Sequence, residues 1–418
     1  MEKGCAADEF LRHHGMHFEG MDPEKELEKL LRAMEDDYRQ GGKTGRMIPA
    51  YVGTYQAPKQ ASDVTVIDIG GTNVRSAVVT IGPAGICRIR NLQFHLTPGV
   101  EEETDTAGFY GKVVADVREN LVTDEIGICF SLATIPQKDR DAVMVAGGKQ
   151  IRIRDMLGKK VGESFRRAMA AHGLRTDARI TVVNDTVAAA PGGQAATERQ
   201  AGFGGYMGFI YGTGINLCYR EPTGEWINTE TAVYDTFPAG DLDEAFDAGL
   251  IDPGQDRLEK MVSGRYQGGL MTCILRSAAG EGIIGPETAA RLFSRDLTAK
   301  DISAFANDPA GNNLLANACA NEADREVIAT ICDAITERSA LICSVVLTAG
   351  LLRGGAGHDP ARPVFITAEG STFLKQKDFR AKLEKRLEAL ATRRHGVFFE
   401  MHVVPDVILR GIAVACLS

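Results

Sequence analysis

The stretch Val64–Arg75, VTVIDIGGTNVR, decides the fold. Its β-branched, apolar run reads as a buried strand, and the acid, two glycines and short polar turn that close it read as a hairpin. Asp68 stands at the strand's end. Gly70 and Gly71 carry no side chain, so backbone N–H groups there can approach a phosphate. An isolated Asp-x-Gly-Gly is more often a strand followed by an ordinary glycine turn. A second segment of the same design, Gly208–Asn216 (GFIYGTGIN), shifts that balance, because an apolar strand again opens into Gly-Thr-Gly. Two such hairpins in one chain point to a pair of phosphate grips.

Outward from the first hairpin, strands recur at Ser76–Ile81, Ile86–Leu92 and Ile126–Ser131, with a helix over Thr106–Val122. Gly158–His172 is helical by the spacing of Val161, Phe165 and Met169, and Arg179–Val183 is a short buried strand ending in Asn184-Asp185-Thr186. This is the layout of an α/β domain whose ligand sits at the carboxyl ends of its strands. The Gly/Ala/Pro-rich stretch 187–206 reads as a crossing to a second domain, where Gly208–Tyr219 and Glu225–Thr229 form another strand pair. A mostly helical region runs from Asp241 to about Gly355. Val364–Thr367 and Val397–Val404 are strand-like around a charged helix, Asp378–Arg394, and Ile408–Leu417 is an apolar closing helix.

Upstream, Asp22-Pro23 followed by Leu27, Leu30, Leu31 and Met34 predicts a capped amphipathic helix, and residues 1–20 read as loosely ordered. Gly41-Gly42-Lys43-Thr44 is not a P-loop, since Asp37 stands where that motif needs glycine and a helix rather than a strand precedes it. The organisation expected is an N-terminal helix and connection (1–59) on the large domain. A small α/β domain (60–187) follows, closed by the C-terminal helix 406–418, and then a large α/β domain (188–405).

The 418 residues suffice for two or three domains, and 44% hydrophobic and 25% charged residues suit a globular protein. A net charge of -9 argues against a nucleic-acid surface. The nine cysteines are scattered without a C-x-x-C pair, so neither a disulfide framework nor a zinc cluster is expected. The N-terminus lacks an apolar signal region and no stretch reaches about 18 apolar residues, so no membrane partner and a cytoplasmic location are expected. The oligomeric state is not legible.

At this point the residues carry a likeness. From about Tyr38 onward the chain resembles the eukaryotic-type hexokinase family, which implies two ribonuclease-H-like (actin-like ATPase) domains facing a central cleft. Met47–Val52 is similar to that family's Met-Leu-Pro-Thr-Tyr-Val, and Asp68–Arg75 to its first phosphate segment, Asp-Leu-Gly-Gly-Thr-Asn-Phe-Arg. Phe130-Ser131 and Lys149 fall where it has its sugar-binding segment, and Val183–Val187 is identical to its catalytic Val-Asn-Asp-Thr-Val. Gly212-Thr213-Gly214 with Asn216 resembles the second phosphate segment, and Ile227–Glu230 resembles Ile-Asn-Met-Glu. Pro253-Gly254-Gln255, Glu259-Lys260-Met261 and Ser263-Gly264 follow in the family's order. Arg338-Ser339-Ala340 and Ala368–Ser371 resemble its adenosine-side helix and loop.

The resemblance implies ATP and Mg²⁺ as cofactors and a small-molecule sugar as substrate. Asp185 is expected as general base for a sugar hydroxyl, and Asp68 as the Mg²⁺ ligand, directly or through water. Asp68, Gly70, Gly71, Thr72, Asn73 and Arg75 on one hairpin, with Gly212, Thr213 and Gly214 on the other, would hold the phosphates, and Gly370 and Ser371 the adenosine. Ser131, Lys149, Asn184, Asp185 and Asn228 are implied as ligands of the acceptor hydroxyls. Two further glutamates should follow, and alignment on neighbouring motifs puts Ala248 and Gly269 in their places. Losing two hydrogen bonds to charged groups costs roughly 3–6 kcal/mol, on the order of 10² to 10⁴ in affinity. Asp235, Asp241 and Asp247 are near enough in sequence to compensate. The leading expectation is an ATP-dependent hexose kinase. Its alternatives are a non-catalytic sensor on the same scaffold, or a kinase of a bulkier or less hydroxylated acceptor.

Overall fold

The computed structural model describes residues 3–53, 55, 57–83, 85, 87–145, 151–197, 202–293 and 295–418. Two sheets organise the chain. The first has five strands in the order Arg179–Val183, Glu125–Phe130, Ser62–Ile69, Asn73–Ile81 and Cys87–Leu96. The first three in that order are parallel, and the last two join by antiparallel hairpins. Residues of Ser62–Ile69 face core on both sides, which is why the strand reads as a continuous apolar run. Ile67 and Ile69 pack under helices Thr106–Val117 and Val161–Ala171 through Phe109, Val113 and Phe165. Val64 and Val66 face Ile412 and Val187 on the opposite side.

The second sheet has six strands: Ile48–Pro49, Trp226–Asn228, Ile215–Arg220, Gly205–Tyr211, Val364–Glu369 and Phe399–His402. Its large outer core joins Phe209, Leu217 and Ile366 of the strands to Leu347 of helix Glu322–Gly354, Leu383 of Phe379–Leu387 and Leu30 of Pro23–Arg39. Helix Glu322–Gly354 is long and apolar enough to cross a membrane on composition alone, contrary to the expectation for the sequence. Since 89% of its apolar window is buried inside the protein, it is a core helix. Helix Pro23–Arg39 starts as predicted, with the Asp22 carboxylate accepting from Glu24 and Lys25 N–H.

The stretch read as a crossing to a second domain opens as a helix rather than a loop. Residues Asp185–Ala196 form a helix, in spite of Pro191 inside it, because the segment is buried nearly all round. It lies between the two sheets and crosses helix Val407–Cys416 at backbone contact. A Cβ at Gly192 would meet the Val407 carbonyl, and one at Gly411 the Ala188 carbonyl. Tertiary packing has overridden a helix-breaking composition. Residues 1–20 are likewise ordered: Lys3–His13 is a helix, with Ala7, Phe10 and Leu11 buried against Ile274, Ile328 and Ile331. The His14 imidazole is held between Asp241 (2.9 Å) and Glu281 (2.7 Å). Seven described cysteines are all free thiols, six of them buried and Cys273 half-buried.

Candidate active site

The strand Ser62–Ile69 delivers Asp68 to the carboxyl edge of the first sheet, where only 7% of it is exposed. Arg75, its cross-strand partner in the hairpin, donates from Nε (2.9 Å) and Nη2 (2.6 Å) to Asp68 Oδ2. Arg75 thus clamps the acid in this structure, a role beyond the phosphate contact expected of it. Between the two strands, Gly70 N–H closes the turn on Asn73 O, and Gly71 lines the cleft. Thr72 and Asn73 are exposed at its mouth. Thr97 braces the loop from behind: its hydroxyl donates to Gly70 O (2.8 Å) and its N–H to Thr72 O (2.9 Å).

The neighbouring parallel strands end at the same edge. Cys129 lies in register with Asp68 on one side and Val183 on the other, so Ser131 and Asn184-Asp185 emerge beside Asp68. Asn184 caps the crossing helix, accepting from Thr186 N–H at 2.9 Å, which fixes where Asp185 begins. Asp185 Oδ1 accepts from Thr186 N–H (2.7 Å) and from its hydroxyl (3.2 Å). Oδ2 makes no hydrogen bond among the described residues. Burial raises the Asp185 carboxyl above the usual range, and the charge of Asp68 adds to it.

The second sheet supplies the facing loop. Gly212–Gly214 joins two antiparallel strands and is fixed from outside, Gly212 O accepting from Gly264 N–H (2.9 Å) and from the Thr372 hydroxyl (2.7 Å), and Thr213 O from Arg265 N–H (3.2 Å). A Cβ at Gly214 would lie 2.7 Å from the Glu259 carboxylate, and one at Gly212 3.4 Å from Gly370 Cα. Gly370 has φ of 122°, a conformation for glycine, and brings Ser371 against this loop. The adenosine-side expectation divides here. Gly370 and Ser371 join the phosphate loop, whereas Arg338 is buried away from it, paired with Asp243 at 3.1 Å.

Between the loops lies a cavity of about 650 Å³, whose wall includes Gly71, Ser131, Asn184, Asp185, Thr213 and Gly214. The same wall contains two residues not assigned from sequence, Asn216 and Glu230. Asn228, expected to touch the acceptor, is only 3% exposed and stands behind them. Its Oδ1 accepts from Asn216 Nδ2 (2.9 Å), and its Nδ2 donates to Glu230 Oε1 (2.6 Å). Leu217 and Thr231 N–H groups donate to Asn216 Oδ1, which fixes the direction of the whole relay. Glu230 adopts a left-handed backbone (φ 49°, ψ 51°), which turns its side chain out of the line of the strand before it. Burial pushes its carboxyl up to about 7, with Asp185 and Asp256 adding to the shift.

A half-buried carboxyl is therefore present on the cavity wall at Glu230, apart from the two positions where Ala248 and Gly269 stand. Ala248 is exposed on helix Asp241–Ala248. A Cβ on residue 269 would lie 2.7 Å from the Phe246 ring, which takes the space of a side chain there. Of the acids nominated as replacements, Asp247 pairs with Lys260, Asp241 pairs with His14, and Asp235 is exposed. Lys149 lies outside the described residues.

The site fits a magnesium triphosphate. Two glycine loops bring backbone close to the cavity at Gly71 and at Thr213–Gly214, and Asp68 is a hard oxygen ligand beside them. Among the described residues no group of three His, Cys, Asp or Glu could cage a metal, and Mg²⁺ is commonly held by one or two carboxylates with substrate phosphates.

Family models described as Hexokinase match residues 16–192 and 206–418. Hexokinase-7 of Oryza sativa subsp. japonica is 27% identical over 394 residues, covering 84% of this chain and 83% of its own. Hexokinase-2 of Equus caballus is 26% identical over 403 residues, and the match spans 88% of this chain but only 42% of that one. The chain thus spans less than half the length of such curated relatives. Among solved structures, a hexokinase from Schistosoma mansoni complexed with glucose superposes with a TM-score of 0.79 at 20% identity, covering 99% of this chain and 98% of that one.

Proposed function

Since the chain belongs to the hexokinase family, we propose that it transfers the γ-phosphoryl group of ATP to a hydroxyl of a hexose-like sugar, with Asp185 as general base. The observation that carries this reading is the state of Asp185. It lies on the cleft wall between the two glycine loops and the acceptor-side residues, with one carboxyl oxygen engaged by Thr186 and the other free to take a proton. A carboxyl raised by burial is a better base at neutral pH than an exposed one.

Each part of the wall then has a task. Ser131, Asn184, Asn216 and Glu230 orient the acceptor so that its hydroxyl meets Asp185 in line with the phosphorus. Gly71 and the Gly212–Gly214 loop present N–H groups to the phosphates, and Asp68, oriented by Arg75, holds the metal or its water. Bound Mg²⁺ neutralises charge on the phosphates. No covalent enzyme intermediate is required. The two sheets face one another across the cleft, and closing them over the acceptor would keep water from the phosphorus.

The test is a coupled ADP-release assay with Mg·ATP and a panel of sugars, with Asp185→Ala and Asp185→Asn as comparators. The expected result is sugar-dependent turnover that falls by at least 10²-fold in both variants while nucleotide binding persists. Undiminished turnover in Asp185→Ala would remove Asp185 as the base. ATP binding without turnover on any sugar would favour the non-catalytic sensor.

A further inference from the structure

The charged lining of the cavity between the loops is nearly all acidic. Asp185, Glu230, Asp256 and Glu259 stand on its wall, and Arg265 is the one Lys or Arg among the described residues that line it. A chain of phosphates entering such a cleft meets like charge, which is unfavourable unless cations offset it. Arg75 is already engaged, donating twice to Asp68 Oδ2. Arg265 is not: among the described residues its guanidinium makes no hydrogen bond and no ion pair with any of the four acids, and it rests 5.5 Å over the Tyr266 ring, within cation–π range. Tyr266 is itself fixed, 7% exposed and edge-on to the Phe246 ring.

The main chain ties this residue to the second glycine loop. Gly264 N–H donates to Gly212 O (2.9 Å) and Arg265 N–H to Thr213 O (3.2 Å). Those two N–H groups at the start of helix Gly264–Gly280 are thus satisfied by the loop, and what remains to meet an anion there is the Arg265 side chain.

We propose that Arg265 is a phosphate-contacting residue of the donor site, its guanidinium donating to oxygens of the terminal phosphates held at the Gly212–Gly214 loop. The inference rests on the kinase reading and adds a cation to it. A planar fork of N–H donors matches two phosphate oxygens at once, and this one has no carboxylate to leave first. Lying on Tyr266, the side chain gives up part of its rotamer freedom before any ligand arrives. The cavity that Arg265 lines also contains Asp185, which sets the contact at the reacting end of the nucleotide rather than at its nucleoside. An anionic substituent on the acceptor is the rival ligand, and the attachment of Arg265 to the glycine loop favours the donor.

The test is calorimetric titration of the full chain, without sugar, with Mg·ATP and with AMP, comparing the parent protein with Arg265→Gln and Arg265→Lys. Initial-rate kinetics of the same three proteins on the sugar panel follow. The expected result is a Kd for Mg·ATP raised about fivefold or more in Arg265→Gln, and less in Arg265→Lys, which keeps the charge but loses the fork. The Kd for AMP and the acceptor KM should stay within about twofold of the parent, with the melting temperature of the free protein unchanged. A Kd for Mg·ATP that does not move in Arg265→Gln overturns the inference. So does an equal loss for AMP, which places the contact at the nucleoside, or a rise confined to the acceptor KM, which makes an anionic acceptor the ligand. A fall in melting temperature alongside the lost affinity marks a structural role and overturns it too. If the parent binds Mg·ATP yet phosphorylates no sugar, the kinase reading fails while calorimetry still decides the phosphate contact, so the two failures are distinguishable.

Discussion

Glu230 joins a left-handed backbone, a buried carboxyl and a hydrogen bond from Asn228, and its protonation sets a pH dependence of stability. The native carboxyl keeps its proton up to about 7, whereas the ordinary value is 4.5. Across that window the folded state binds more protons than the unfolded one, so stability falls as pH rises, by on the order of 1–3 kcal/mol, and levels off above it. Glu230→Gln should flatten this slope in urea titrations at pH 4.5, 6 and 8; an unchanged slope would place its cause elsewhere. The sequence showed Asp68, Asp185 and both glycine loops plainly, because each sits in a short motif at a strand end. In the Ile227–Glu230 segment it named Asn228 and left out Glu230, which lines the cavity. Asn228 ends a strand and points behind the wall, and the positive φ that turns Glu230 into the cleft leaves no mark in a residue type that rarely adopts it.

Helices Asp185–Ala196 and Val407–Cys416 meet where side chains are absent, and that contact is what joins the two sheets. Gly411→Ala would force a methyl onto the Ala188 carbonyl. The expected cost is about 1–3 kcal/mol in denaturant midpoint, accompanied by altered acceptor kinetics, since Asp185 begins the displaced helix. A fully stable variant with unchanged kinetics would mean that the helices separate freely. Most strands and the long helices were legible, being apolar runs or capped amphipathic stripes. The crossing helix was not: glycines and Pro191 read locally as a linker, and only burial against a helix more than 200 residues away stabilises it. The first helix was missed for the opposite reason. Its apolar stripe is only Ala7, Phe10 and Leu11, too short to stand out among polar neighbours.

Across the whole molecule, one buried ion pair ties the helical region together. Arg338 on the long core helix pairs with Asp243 on helix Asp241–Ala248, and its Nη1 also reaches Met16 Sδ of the N-terminal segment. Asp243→Ala leaves a buried guanidinium uncompensated, and an expected loss of about 3–5 kcal/mol should appear in thermal or urea unfolding. Replacing both partners with apolar residues of similar volume should cost much less, and equal losses in the two variants would show that the charge itself is not what matters.

The thiols give the same architecture a built-in gauge. Six of the seven described cysteines are buried, distributed over both sheets and the core helices, and Cys129 sits beside Asp68 on the neighbouring strand. Burial raises its thiol well above the ordinary range, with the charges of Asp68 and Asp185 reinforcing the shift, so the reactive thiolate is suppressed while the fold is closed. Modification by a thiol reagent is therefore limited by how often each region opens. Mapping which cysteines react first ranks the local stability of the two halves without any added probe, and a ligand that holds the cleft shut slows the label at Cys129 in proportion to its occupancy.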